Sequence, residues 1–427
     1  MAGNGRIETA RNVRRVGHLD IPGGGQVVID NRGYAYVGHM KPPYGTSIID
    51  VRDPKNPKIV SEVRLDNDLS HTHKVRVVGD LMFTNVEQND RHLKRKADRL
   101  DEASVKLAST LGRAPTEAEL AAELKVKDSQ IAFLREAKRN PYRDGGWKIY
   151  DIADRAKPRL VHYERTSGFG VHRFDVDASY AYISTEMDGF IGNILVIYDL
   201  KDPARPQEVS RWWMPGQHIA GGETPTWRGY SHRLHHAMRV GDELWAAVWQ
   251  AGIRVIDVSD IRKPKTIASH NYHPPTPEPT HTILPAAKPI GGRRIAVGVD
   301  EEHDHVRGQP HAHLWIFDVS DLKNIRPLST FHVGENDSPW SGAPGRFGAH
   351  QFQEHIDDTL VFAAWFSGGL RVVDIKDPDA PEEVGWFIPE PVAGHASPQS
   401  NDVDVDREGL IYLLDRDNGF DILEFKG

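Results

Sequence analysis

The chain has 427 residues, and its 61 acidic against 53 basic side chains leave a net charge of −8, which argues against a protein that grips a phosphate backbone. It contains no cysteine, so disulfides and thiolate metal ligands are excluded, and the composition suits a cytoplasmic location. No segment has the length and apolarity of a membrane span, and the opening run MAGNGRIETARNVRRVGHLD lacks the apolar core of a signal peptide; neither a membrane nor a nucleic acid is expected as a partner.

In chain order, the first recognisable element is NVRRVGHLDIP at 12–22, which matches the text NPKIVSEVRLD further on and reads as an outer strand with no sheet of its own. TSIIDVRDPKNPKIV follows, and its plan recurs in WKIYDIADRAKPRLV, LVIYDLKDPARPQEV, IRVIDVSDIRKPKTI, LWIFDVSDLKNIRPL, LRVVDIKDPDAPEEV and a truncated GFDILEF. Each is a β-rich run ending on an acid, then a polar turn with Pro, then another strand. The acids are Asp50, Asp151, Asp199, Asp257, Asp318, Asp374 and Glu424, at intervals of 101, 48, 58, 61, 56 and 50 residues. A period near fifty with four strands per unit is the mark of a β-propeller. The fold expected is therefore all-β, a seven-bladed β-propeller whose ring is closed by the N-terminal strand. The long first interval contains a helical insertion in blade two, so the propeller takes 1–89 and 145–427 and the insertion 90–144. Within it Thr116 and Glu119 have capping-box spacing, and Asp128 or Ser129 can cap the last helix. The insertion is expected to act as a lid over the ring or as the contact of a homo-oligomer.

The phrases IIDV, IRVID and LRVVD resemble the bacterial LVIVD-repeat proteins, which are propellers. The resemblance covers nearly the whole chain outside the insertion and implies a fold without a single activity. The insertion text LGRAPTEAELAAEL resembles a helical segment of bacterial sigma factors, but nothing else in the chain supports DNA binding.

Two hairpins carry the chemistry. HKVRVVGDLMFTNVE runs from His73 to Glu87 and HRFDVDASYAYISTE from His172 to Glu186, with the same spacing. In an antiparallel hairpin the first residue of one strand lies beside the last of the next, so each His is expected beside its own carboxylate. In the same frame blade four offers His235, blade five His281 and blade six His350, while blade seven has Asn401 and blade one Gly25. Equivalent positions of innermost strands lie at one height around the axis. Neutral imidazoles sharing one ion make sense of five histidines there. His73, His172, His235, His281 and His350 are the candidate ligands. Glu87, Glu186, Asp300 or Glu301, and Asp415 are the candidate carboxylates behind them. His71, His232 and Tyr230 are candidates to face a substrate. The run from Val299 to His305, with His311 and His313 beyond, reads either as a second, looser metal site or as a polar rim.

An all-imidazole set backed by carboxylates is similar in architecture to the carotenoid-cleaving oxygenases, seven-bladed propellers with four axial histidines on Fe(II). The selenium-binding protein/methanethiol oxidase family is another propeller with histidine-rich channel text, and it is assigned copper. These resemblances imply an Fe(II) oxygenase or oxidase acting on a small organic substrate, with Cu, Zn or Mn as other metals of the same ligand chemistry. A metal-dependent hydrolase or lyase is the alternative within enzymes. A non-catalytic interaction propeller is the alternative outside them.

Overall fold

Six aspartates explain why one phrase recurs along the chain. Asp50, Asp151, Asp199, Asp257, Asp318 and Asp374 each end a strand and accept a hydrogen bond from the backbone N–H two residues on, at 2.7–3.1 Å. Three residues later Asp53, Asp154, Asp202, Asp260, Asp321 and Asp377 do the same. Carboxylates so placed replace a backbone turn and reverse the chain. Each D-x-x-D therefore joins the third strand of a blade to its fourth.

The computed structural model describes residues 7–427 apart from 229, 230 and 304. Its strands form seven antiparallel sheets, one per blade. Blade three is typical, with Val171–Val176, Tyr180–Thr185, Ile194–Asp199 and Gln207–Trp212 paired in order. Blade seven consists of Ser400–Val405, Leu410–Asp415 and Asn418–Phe425, and the N-terminal strand Val13–Pro22 completes it by pairing with Asn418–Phe425. The ring thus closes as the sequence predicts. Ala10–Arg11 adds a short fifth strand to blade six.

Apolar packing holds the blades face to face. Among the described residues each junction between neighbouring blades has its own buried cluster: Val27, Val37, Leu414 and Ile422 join blades seven and one, and Trp245, Val255, Ile283 and Phe317 join blades four and five. Central strands such as Leu360–Trp365 are covered on both faces, so they read as continuous apolar runs rather than alternating ones.

The insertion lies between Leu81–Gln88 and Gly146–Asp151 of blade two. It comprises helices α1 (Arg91–Asp98), α2 (Leu100–Leu111), α3 (Glu117–Leu124) and α4 (Ile131–Arg139). Leu100, Leu120, Leu124, Ile131 and Leu134 form its separate core. Thr116 and Glu119 make the capping box, each bonding the other's backbone N–H. Asp128 and Ser129 do not cap α4; they lie in a 3-10 turn, Asp128–Gln130, that leads into it. No helix among the described residues is long and apolar enough to cross a membrane.

Candidate metal centre

The histidine frame is built by β-bulges. In blades three and five the register between the two inner strands slips at His172 and at His281, and in blades one and seven at Gly25 and Asn401. A bulge leaves one residue unpaired and re-aims its side chain. His235 and His350 sit just before their inner strands, with their N–H groups bonded to Ala247 O (2.9 Å) and Ala364 O (3.1 Å). The rings follow one another around the axis: His73 to His172 is 5.2 Å between centroids, His172 to His235 5.0 Å, His235 to His281 4.0 Å and His281 to His350 4.4 Å. All five sequence-predicted ligands are thus in one arc. Gly25 takes the frame position of blade one, against His73, and no side chain fits there because a Cβ would lie 2.6 Å from His73 O and 3.0 Å from Met40 Sδ.

The two nitrogens of each ring have different surroundings. His172 Nδ1 donates to Glu87 Oε2 (3.0 Å), His235 Nδ1 to His281 O (2.6 Å), His281 Nδ1 to Gln351 Oε1 (2.9 Å) and His350 Nδ1 to Asn401 O. Each of these four rings therefore carries its proton on Nδ1 and keeps a lone pair on Nε2, the arrangement second-shell acceptors impose on ligating histidines. The Nε2 atom of His235 is buried with no partner.

His73 is the reverse. The Asn85 amide is fixed by donating to Val171 O (2.9 Å) and accepting from Lys74 N (2.8 Å), and its Nδ2 also donates to His73 Nδ1 at 3.2 Å. A ring that accepts at Nδ1 holds its proton on Nε2, here 3.9 Å from Glu87. Burial holds the imidazoles of His73, His172, His235, His281 and His350 well below their ordinary range, so the arc is neutral.

The carboxylates differ from the simple hairpin expectation. His71, not His73, pairs in register with Glu87, and its Nε2 donates to Glu87 at 3.0 Å while Nδ1 meets Met40 O at 3.1 Å. Glu87 holds His172 of the next blade and also accepts from Arg91 of α1. Glu186 holds no imidazole; it accepts from Phe169 N (3.0 Å) and Arg95. Asp415 likewise touches no ring and caps a turn, accepting from the N–H groups of Gln399, Asp417 and Asn418. Asp300 points away between blades to Tyr272 and Trp315, and burial raises its carboxyl to about 6. Glu301 faces inward, on the ligand side of the rings: its oxygens lie 3.9 Å from His281 Nε2 and 3.8 Å from His350 Nε2. These gaps exceed a hydrogen bond, yet two donors each about 2.1 Å from one ion can be as much as about 4.2 Å apart. Burial alone would raise the Glu301 carboxyl, but His303 and Arg346 beside it hold it well below its usual range.

His235, His281 and Glu301 form one group of side chains that could hold a metal ion, and His71, His73 and Glu87 another. A third, Glu302, His305 and His311, lies in the blade-five loop. There His311 bridges Glu302 (3.0 Å) and Glu335 (3.2 Å), and its pKa is raised, first by the bond to Glu302. That third group is accounted for as an ion-pair network. His232 is stacked on Trp227 (4.4 Å) outside the arc. Tyr230 lies outside the described residues.

Beneath the arc is a layer that the motif reading missed. The residue after each frame position is Gln26, Lys74, Arg173, His236, Thr282, Gln351 and Asp402, all polar and all buried. Three of them bond to the neighbouring blade, Lys74 Nζ to Gly25 O (2.9 Å), Arg173 Nε to His236 Nδ1 (3.1 Å) and Thr282 Oγ1 to Gln351 Oε1 (2.7 Å). The signal was present, since the same alignment shifted by one residue shows seven polar side chains in otherwise apolar strands. Lys74 of this layer lines a chamber of about 220 Å³, together with His73, His172, His281, Glu301 and His350. Arg91 and His92 of α1 also line it.

The fold and site together define a seven-bladed propeller with an axial histidine–carboxylate chamber. Residues 360–387, in blade six, match the family model for the LVIVD repeat, and this match together with the seven blades supports the LVIVD-repeat β-propeller reading. No curated protein matches the sequence. Among solved structures, a chain of the mitotic checkpoint complex is similar at TM-score 0.56 and 8% identity, covering 99% of this chain and 97% of that one. A chain in a complex of S. cerevisiae dbp5 with nup159 and gle1 is similar at TM-score 0.50 and 9% identity, covering 98% and 96%. At such identities the likeness is of fold alone.

Proposed function

We propose that this propeller is a metal-dependent enzyme that acts on a small organic substrate in the axial chamber, as an Fe(II) oxygenase or oxidase. The observation that carries it is the sorting of ring nitrogens: four imidazoles are anchored at Nδ1, and their Nε2 atoms are left without protons. His172, His235, His281 and His350 would hold the ion, and Glu301, 3.9 Å from His281 Nε2 and 3.8 Å from His350 Nε2, would join them. Neutral nitrogen donors with one carboxylate suit Fe(II), Cu, Zn or Mn, and not the all-oxygen shells of Mg or Ca. Such an ion supplies Lewis acidity and, if iron or copper, a redox couple with dioxygen. The protein's own part is to fix the rings, keep them neutral and roof the chamber with α1.

The test is metal analysis of untagged protein. One transition-metal ion per chain is expected, lost in His235→Ala and in His350→Ala and kept in His73→Ala. Full occupancy in the first two variants would remove the assignment. Dioxygen uptake with candidate substrates then separates the oxygenase from a hydrolase or lyase using the same ion.

A further inference from the structure

We propose that the substrate of this chamber is an organic or inorganic anion, whose carboxylate or phosphate is received by Arg416 after passing Arg233. The proposal rests on the metal-site reading and adds the charge class of what binds there.

The chamber is lined by Arg91, Arg346 and Arg416 as well as by Glu87 and Glu301. Two of the arginines are matched, Arg91 to Glu87 and Arg346 to Glu301 (2.7 Å). Arg416 is not. Of its five N–H donors, one reaches Asn401 Oδ1 at 3.0 Å, and no carboxylate of the described residues forms an ion pair with it. Its neighbour Asp417 pairs instead with His395 at 3.0 Å.

Arg233 repeats the pattern in a larger corridor of about 660 Å³ beneath α1. Only 6% of it is exposed. Its guanidinium lies over the Trp249 ring at 4.1 Å, and its side chain has neither a hydrogen bond nor an ion pair among the described residues. Corridor and chamber share His92, Trp249 and His303, so they lie side by side.

A guanidinium taken out of water without a counter-charge is costly, and the cost is recovered only when an anion arrives. A divalent ion in the arc sharpens the imbalance, because it adds positive charge where Arg91, Arg346, Arg416, Lys41 and Lys74 already face only Glu87, Asp90, Glu301 and Asp417. Arginine's planar fork suits a bidentate hold on carboxylate or phosphate. The aromatic face of Trp249 beside Arg233 admits an organic body behind the charge.

The test uses the full chain, metal-loaded and metal-depleted, titrated calorimetrically with benzoate and with inorganic phosphate, and with benzamide as the neutral counterpart of benzoate. At least one anion is expected to bind at millimolar concentration and benzamide not to. Arg416→Gln should weaken anion binding by roughly tenfold or more, while its metal content matches the parent. Without ligand, Arg416→Gln and Arg233→Gln should melt at or above the parent temperature, since Arg233 is an unmatched buried cation and Arg416 an unmatched half-buried one. Whichever anion binds better distinguishes carboxylate from phosphate. Equal binding of benzamide and benzoate, no binding of either anion, or undiminished binding in a folded Arg416→Gln would each overturn the proposal. Loss of metal from the parent protein would instead count against the metal site alone.

Discussion

Gln351 accepts the Nδ1 proton of His281 at 2.9 Å, accepts from Thr282 at 2.7 Å and donates to Glu354 at 2.9 Å. One buried amide therefore sets a tautomer and ties the histidine arc to the plate below it. Gln351→Leu keeps most of the volume and leaves Thr282 and Glu354 short of a partner. We expect a stability loss of about 1–3 kcal/mol by urea unfolding and a metal affinity lower by about 10–100-fold by competitive chelation. Unchanged affinity would mean that Gln351 is structural filler. The same logic makes His73 the discriminating residue of the arc, because Asn85 fixes its proton on Nε2, the nitrogen that the other four rings leave bare.

At the scale of elements, the bulge decides which sequence readings succeed. The five histidines were legible because blade after blade spends its extra inner-strand residue at the same place. Their carboxylates were not, because a bulge shifts register by one residue: Glu87 falls opposite His71 and then reaches His172 across a blade boundary. Contacts between blades leave no spacing for a repeat to reveal, so Glu186 and Asp415 look equivalent to Glu87 in sequence and differ in space. The arginines from α1 and from loops, such as Arg91 and Arg346, have no counterpart in the other repeats and could not be found by comparing them.

The blade-six hairpin offers a pH test away from the chamber. His355 contacts Asp404 of blade seven at 3.4 Å and Asp357 at 2.9 Å, and these contacts, with Asp404 first, raise its pKa to about 9. A pKa above the unfolded value of about 6.5 contributes stability that is full below that pH and lost as pH rises through about 9. Urea midpoints should fall across this window in the parent, and His355→Gln should flatten that part of the profile. An identical slope in the variant would place the pH sensitivity elsewhere.

For the whole molecule, closure by Val13–Pro22 covers the edge of Asn418–Phe425 with pairs from Val13↔Phe425 to Pro22↔Asn418. Deleting residues 1–22 bares that edge and strips one side of the cluster between blades seven and one, including Ile21. Light scattering should report concentration-dependent association, and the melting temperature should drop by several degrees. A monomeric deletion variant with the parent melting profile would show that three strands suffice for blade seven.

The layer of seven polar side chains bears on assembly. Each blade contributes one of them, and Lys74, Arg173 and Thr282 each bond to a group on a neighbouring blade. A ring with one blade more or fewer would leave buried polar atoms short of partners, a cost that apolar packing alone does not impose. The layer thus helps to count the blades as well as to join them.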